Sequence, residues 1–228
     1  MKLLALDTSS IACSAALQLD ELLIERHEEK PREHTRLLMP MIESLLRESG
    51  VTLPELDAIV LGNGPGSFIG MRIAASVAQG LAFGSGLNII PVSSLAAIAA
   101  QVFAEREATE VIVAQDAHMH EVYLGIYEAG DSRLPVAVFP ERLHGTDRIA
   151  ELGSAAYVAA GAGWQRYPDL LAANRENLGD ISDVLHPRAT HLLRLGSAAL
   201  REGHAVEPQD IVPAYLRQKV AQKPAPVS

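Results

Sequence analysis

Cysteine is almost missing from this 228-residue chain: Cys13 stands alone. That excludes an internal disulfide and any cysteine-based zinc site within one chain, and the residue reads as a small buried side chain. Basic charge is also short, with 19 Lys and Arg against 28 Asp and Glu and a formal net charge of −9. A strong autonomous nucleic-acid binder needs clustered cations for the phosphates, so any RNA is expected to be held chiefly by something else. No targeting run stands out. Leu3-Leu4-Ala5-Leu6 follows Lys2 but stops at Asp7, far short of a signal-peptide core, and the expected location is cytoplasmic. The uncharged stretch from Ile73 to Ala104 is long enough for a bilayer, yet Gln79, Gly84, Gly86, Asn88, Pro91, Ser93 and Ser94 divide it into helix, turn, strand and helix.

The chain is organised around Gly62 to Gly84. Leu56 to Leu61 is the apolar run of a buried strand, and Gly62, Gly64, Pro65 and Gly66 forbid a regular element after it. Ser67 is placed to cap a helix that runs to about Gly84. After Ser67 the only charge before Gly84 is Arg72, so the helix is apolar all round and must be covered all round. Gly70, Ala74, Ala78 and Ala82 form one ridge of small residues, and Ser76, Gly80 and Gly84 another. The reading is that Ile69, Ile73, Val77 and Leu81 pack on the chain's own sheet while the small flank takes a second helix, from this chain or another. A fully buried helix of a large domain fits the same pattern.

In chain order, Lys2 to Leu6, Ala12 to Leu17 and Leu22 to Arg26 read as three antiparallel strands, with the polar bend Asp7-Thr8-Ser9-Ser10 after the first. That bend suits either a phosphate or a plain hairpin turn. A helix over Arg36 to Glu48 contains Pro40, which predicts a kink. Its stripes are Leu38, Ile42 and Leu45, and Leu37, Met41 and Ser44. A strand at Asn88 to Val92 and a helix from Leu95 to about Glu105 follow, so crossovers and a mixed sheet are expected. The second half repeats the theme: strands at Glu110 to Ala114, Glu121 to Tyr127 and Pro135 to Phe139, with Asp116-Ala117-His118 in the turn. A short helix at Thr146 to Glu151, a strand at Ala156 to Ala160 and a helix at Pro187 to Glu202 complete it. The expected division is 1–105, 106–217 and a mobile tail over 218–228.

Strand, acidic turn, strand, strand, met twice with Asp7 and Asp116 in equivalent turns, resembles the α/β actin-like ATPase fold of acetate and sugar kinases, Hsp70 and actin, with two duplicated mixed-sheet subdomains. More closely, Leu4-Ala5-Leu6-Asp7-Thr8-Ser9, Pro31-Arg32-Glu33-His34-Thr35, Gly64-Pro65-Gly66-Ser67-Phe68 with Gly70 and Arg72, Asp116-Ala117 with Glu121-Val122-Tyr123, and Gly161 with Gly163-Trp164 resemble the TsaB (YeaZ) family. The resemblance runs from Met1 to about Leu216. It implies a non-catalytic partner of TsaD in forming threonylcarbamoyl-adenosine at position 37 of tRNAs that read codons starting with adenine, with TsaE as a third subunit and tRNA met only through the complex. It also implies dimerisation through the first two helices, as a homodimer when alone. The residues assigned to that contact are His34, Leu38, Met41, Ile42, Leu45, Gly70, Arg72, Ala74 and Ala78, with Leu81 from the other flank.

The same resemblance supplies a negative. TsaD-like proteins hold a metal with His-x-x-x-His after the strand that corresponds to Asn88 to Val92; here Ser94 and Ile98 stand in those positions, and neither metal nor transfer chemistry is expected there. Asp7 to Ser10 and Asp116 to Met119 lack the glycines with which actin-like ATPases approach phosphates. No cofactor of its own is therefore expected, although a nucleotide could lodge at the junction with TsaD. His118, His120 and Glu121 have no partners at recognised ligand spacing. Ser67 lacks the glycine two residues later that a hydrolase elbow requires.

Overall fold

The computed structural model describes residues 1–153 and 156–217; the tail expected to be mobile, 218–228, lies outside the described residues. The first sheet is built from β1 (Lys2–Asp7), β2 (Ala12–Leu19) and β3 (Leu22–Glu29). Helix α1 (His34–Ser49) crosses to β4 (Ala58–Gly62), and α2 (Phe68–Ser85) crosses to β5 (Ile89–Val92). The strand order is β3-β2-β1-β4-β5, antiparallel over the hairpins and parallel from β1 through β5. After α3 (Ser94–Glu105) come β6 (Glu110–Asp116), β7 (Glu121–Ala129), β8 (Pro135–Ala137), β9 (Arg142–Gly145) and β10 (Tyr157–Ala160). Short α4 (Gly163–Arg166) and α5 (Pro168–Asn174), then β11 (Leu178–Ile181) and α6 (Ala189–Arg201), complete the elements. The second sheet reads β8-β7-β6-β10-β11, the same succession as the first, with β9 an extra strand on β7. The duplication is therefore one of topology.

Strands buried on both faces lose the apolar-polar alternation, which is why β1 reads as a solid apolar run. Leu4 and Leu6 point into the core with α1 and α2, while Leu3 and Ala5 face α6. The last helices are exchanged. Leu95, Ile98, Val102 and Phe103 of α3 pack with Val111 and Val113 of the second sheet, whereas Ala189, Leu192 and Leu193 of α6 pack on Leu3, Ala16 and Val60 of the first. A cut at 105/106 thus separates the two sheets but not the two cores.

Two expectations change, the first on helix α1, which includes Pro40 on its exposed side and ends at Gly50 in the left-handed conformation (φ 69°). Its buried residues, Leu38, Met41, Ile42 and Leu45, form one stripe rather than two. Thr146 to Glu151 is not helical. Asn174 takes that segment's backbone groups instead: the Ile149 N–H donates to its Oδ1 at 2.8 Å and its Nδ2 donates to the Asp147 carbonyl at 3.2 Å. Among the described residues, the second half thus has no counterpart of α1, and a paired-helix face occurs once.

Candidate partner face and the closed phosphate turn

The bend after β1 is buried beneath the glycine-rich loop. Asp7, Thr8 and Ser9 are all inaccessible. Asp7 Oδ1 accepts from the Ser9 N–H at 2.7 Å and the Ser9 hydroxyl at 2.8 Å, and its Oδ2 accepts from Ser94 Oγ at 2.6 Å. Ser94 Oγ in turn accepts from the Gly64 N–H at 3.1 Å. Burial pushes the Asp7 carboxyl above its ordinary range, against the lowering by these donors. Thr8 Oγ1 donates to the Gly70 carbonyl at 2.6 Å, and the Ser67 N–H donates to the Ser9 carbonyl at 2.6 Å.

Glycine is required here by closeness. A Cβ at Gly62 would run into the Asp7 carboxylate, at Gly66 into the Ser9 carbonyl, and at Gly70 into the Thr8 carbonyl. The loop that marks the sequence is thus spent on close contact with the bend. Ser94 and Ile98 are buried as well, Ser94 tied to Asp7 and Ile98 packed in the second core.

The equivalent turn in the second half is more open. Asp116 Oδ1 accepts from the His118 N–H at 2.8 Å and from Tyr167 Oη at 2.7 Å. His118, Met119 and His120 all have φ near +60°, a conformation that non-glycine residues rarely adopt. A segment with no sequence signal joins the two turns. Val206 bridges to Ile89, Asn63 Nδ2 donates to the Val212 carbonyl at 2.9 Å, and Arg217 Nη2 reaches the Ala117 carbonyl at 2.8 Å and Glu121 at 2.6 Å.

Helix α2 begins as the sequence requires, with Ser67 Oγ accepting from the Gly70 N–H at 3.3 Å. Its small ridge takes a second helix from this chain, α1, and of the large stripe Ile73, Val77 and Leu81 pack partly against the same core while Ile69 stands exposed. Gly70, Ala74, Ala78 and Ala82 face the chain's own first core, because the sheet surface beneath them is already filled by Leu4, Leu6, Ile59 and Leu61 and leaves room only for small residues. His34, Leu38, Met41, Ile42 and Leu45 are enclosed too, and burial lowers the His34 pKa. Of the residues assigned to the partner contact, only Arg72 and Leu81 reach the surface. The outward ridge is instead Ser76, Gly80 and Gly84, flanked by half-buried Ile73, Val77 and Leu81 and by Ile69 and Phe83, which are 70% and 82% exposed. A Cβ on Gly80 or Gly84 would meet nothing within 4 Å.

Arg72 forms no ion pair with the described residues. Its guanidinium lies 3.7 Å from the centroid of Phe68, and its Nε donates to Tyr215 Oη at 3.0 Å. Phe68 and Tyr215 are 5.5 Å apart between centroids, so the C-terminal segment extends the apolar face beyond α2.

A family model described as "TsaD: tRNA N6-adenosine threonylcarbamoyltransferase" matches residues 26–225. The tRNA threonylcarbamoyladenosine biosynthesis protein TsaB of Escherichia coli (strain K12) is 38% identical, over 99% of each chain. The chain belongs to the TsaB (YeaZ) family. The protein of the same name from Haemophilus influenzae is 36% identical over 99% of this chain and 98% of its own. The solved structure of YeaZ from Pseudomonas aeruginosa matches with TM-score 0.85 and 37% identity, covering 94% of this chain and 99% of that one. The actin-like fold expected from the duplicated pattern is thus the fold of the family. No helix among the described residues is long and apolar enough to cross a membrane.

Sequence reasoning missed Phe68, Ile69, Phe83 and Tyr215 as surface residues. A helix apolar all round carries no polar stripe to say which side faces out. The bulk of the strand residues was the usable signal, since a Leu- and Ile-rich sheet face calls for a small-residue helix above it.

Proposed function

We propose that this chain serves threonylcarbamoyladenosine formation on tRNA as a non-catalytic subunit, docking on TsaD through the outer face of α2 and the exposed side of α1. The observation that carries this reading is the uncovered apolar ridge of α2, with Ile69 and Phe83 in water beside residues too small to block another helix. The first phosphate turn, filled by the glycine-rich loop, supports a structural rather than a phosphoryl-transferring role. In this reading TsaE joins the pair, tRNA is held mainly by the partners, and the same ridge closes a homodimer when TsaD is absent. Any nucleotide sits at the junction with TsaD.

Co-purification of the full chain with TsaD, alongside titration of the isolated chain with ATP and magnesium, tests this. A stable heterodimer and no saturable nucleotide binding by the chain alone are expected. Saturable ATP binding with turnover by the isolated chain would instead make it an autonomous kinase or ATPase.

A further inference from the structure

Away from the α2 face, an open cleft of about 290 Å³ lies where the two lobes meet beside α6. It is lined by Gln18 of β2, by Ser132 and Leu134 from the turn before β8, and by Arg194, Ser197 and Arg201 of α6. Arg194 and Arg201 are seven residues apart with Ser197 between them, so one face of the helix presents two guanidiniums and a hydroxyl in line. No carboxylate lines the cleft, in a chain whose net charge is −9.

Of the acids on the flanking segments, Asp20 pairs with the amino terminus at 2.5 Å, Glu105 accepts from Gln101 Nε2 at 2.9 Å, Glu107 lies 3.7 Å from Arg133 and Glu202 3.5 Å from His204, while Asp131, beside Ser132, is exposed and has no ion-pair partner among the described residues. Arg194 donates to two carbonyls, of Ala100 and Ser132, each at 3.3 Å. Arg201 is exposed and has no ion-pair partner among the described residues.

Both walls are preset. Gly196 lets α6 lie against Val60 where a Cβ would not fit. Opposite, Ser132 and Arg133 hold φ of 55° and 56°, pinned because Arg133 donates to the carbonyls of Phe103, Arg106 and Ala108 at 2.6, 2.5 and 3.2 Å. Arg194, already donating to two carbonyls, and Arg201 line one space, which fits an anion that accepts from both, and a dianionic phosphate does so better than a singly charged carboxylate. The acidic chain as a whole disfavours a long polyanion.

From this geometry we infer that the cleft binds a small phosphate-bearing molecule, with the phosphate between Arg194 and Arg201 and the Ser197 hydroxyl beside it. Because its walls come from both lobes, an occupant ties them together.

Isothermal titration calorimetry of the full chain with inorganic pyrophosphate and with AMP, at constant ionic strength set by chloride, tests the assignment. Saturable one-to-one binding is expected, at least tenfold weaker in Arg201→Ala, abolished in Arg201→Glu and intermediate in Arg201→Lys, which keeps the charge without the fork. Arg201 is exposed, so each variant is expected to keep its melting temperature to within about 2 °C. Absence of saturable heat up to about 10 mM of either probe, equal affinity in Arg201→Glu, or displacement of pyrophosphate by a short RNA at lower concentration than by AMP would overturn the inference.

Discussion

Ala78 and Gly80 lie two residues apart on α2 and face opposite ways, so the same substitution at each separates the inner face from the outer. Ala78 is fully enclosed in the core that holds Leu4, Leu61 and Ile42. Ala78→Glu forces extra volume into that core, at about 1–3 kcal/mol, and leaves a carboxylate without a partner, at several kcal/mol more. The sum of about 4 kcal/mol or greater is a large share of a stability of about 5–15 kcal/mol, so this variant is expected to be unfolded or to melt far below the parent. Gly80→Glu meets open space. Replacing glycine in an exposed helix interior is expected to stabilise the monomer by about 0.5–1 kcal/mol. The same carboxylate held against an apolar partner costs about 3 kcal/mol or more, over a hundredfold in Kd.

Circular-dichroism melting of both variants, with sedimentation or light scattering for self-association and calorimetry against TsaD, reads the two effects separately. Expected are a folded Gly80→Glu chain that no longer associates and an Ala78→Glu chain that barely folds. A folded, monomeric Ala78→Glu chain, or Gly80→Glu binding with parental affinity, would refute the assignment of faces.

Gly70→Ala is expected to lower stability by about 1–3 kcal/mol, because its methyl strikes the Thr8 carbonyl; a denaturant midpoint equal to the parent's would contradict that. Burial, reinforced by Arg194, pulls His191 down to about 4 from 6.5. A histidine with a depressed folded pKa favours the folded state above the unfolded pKa and loses that advantage as pH falls from 6.5 towards 4, here by up to about 3 kcal/mol. Urea titrations across that range should show His191→Gln with the flatter profile, and parallel profiles would exclude His191 as the cause. Tyr215→Ala removes the partner of Arg72 and one wall of the apolar face. It is expected to weaken binding to TsaD about tenfold while moving monomer stability by less than about 1 kcal/mol, and unchanged affinity would place the C-terminal segment outside the contact.

The strands and long helices of the first half were legible because each has a local cause: Ser67 caps α2, Gly50 and Gly86 end α1 and α2 in the left-handed conformation, and β1 is uniformly apolar. What escaped depends on distant residues. Thr146 to Glu151 has helical composition but yields its backbone to Asn174, in direct contact yet far along the chain. β11 presents one buried residue, Leu178, so it carries no apolar run. The segment from Val206 to Arg217 has no periodicity, and its partners Asn63, Arg72 and Ala117 lie far upstream. Most of the residues assigned to a partner contact lie inside the chain's own core, since small and large stripes alternate around α2 and only the bulk of the facing sheet decides between them.

The most direct test of the account is reconstituted threonylcarbamoylation of tRNA by TsaD and TsaE, with this chain present, absent, or carrying Gly80→Glu. The account predicts full modification with the parent chain, loss of it with the chain absent or carrying Gly80→Glu, and none from this chain alone. Equal modification without the chain, or modification by the chain in the absence of TsaD, would contradict it.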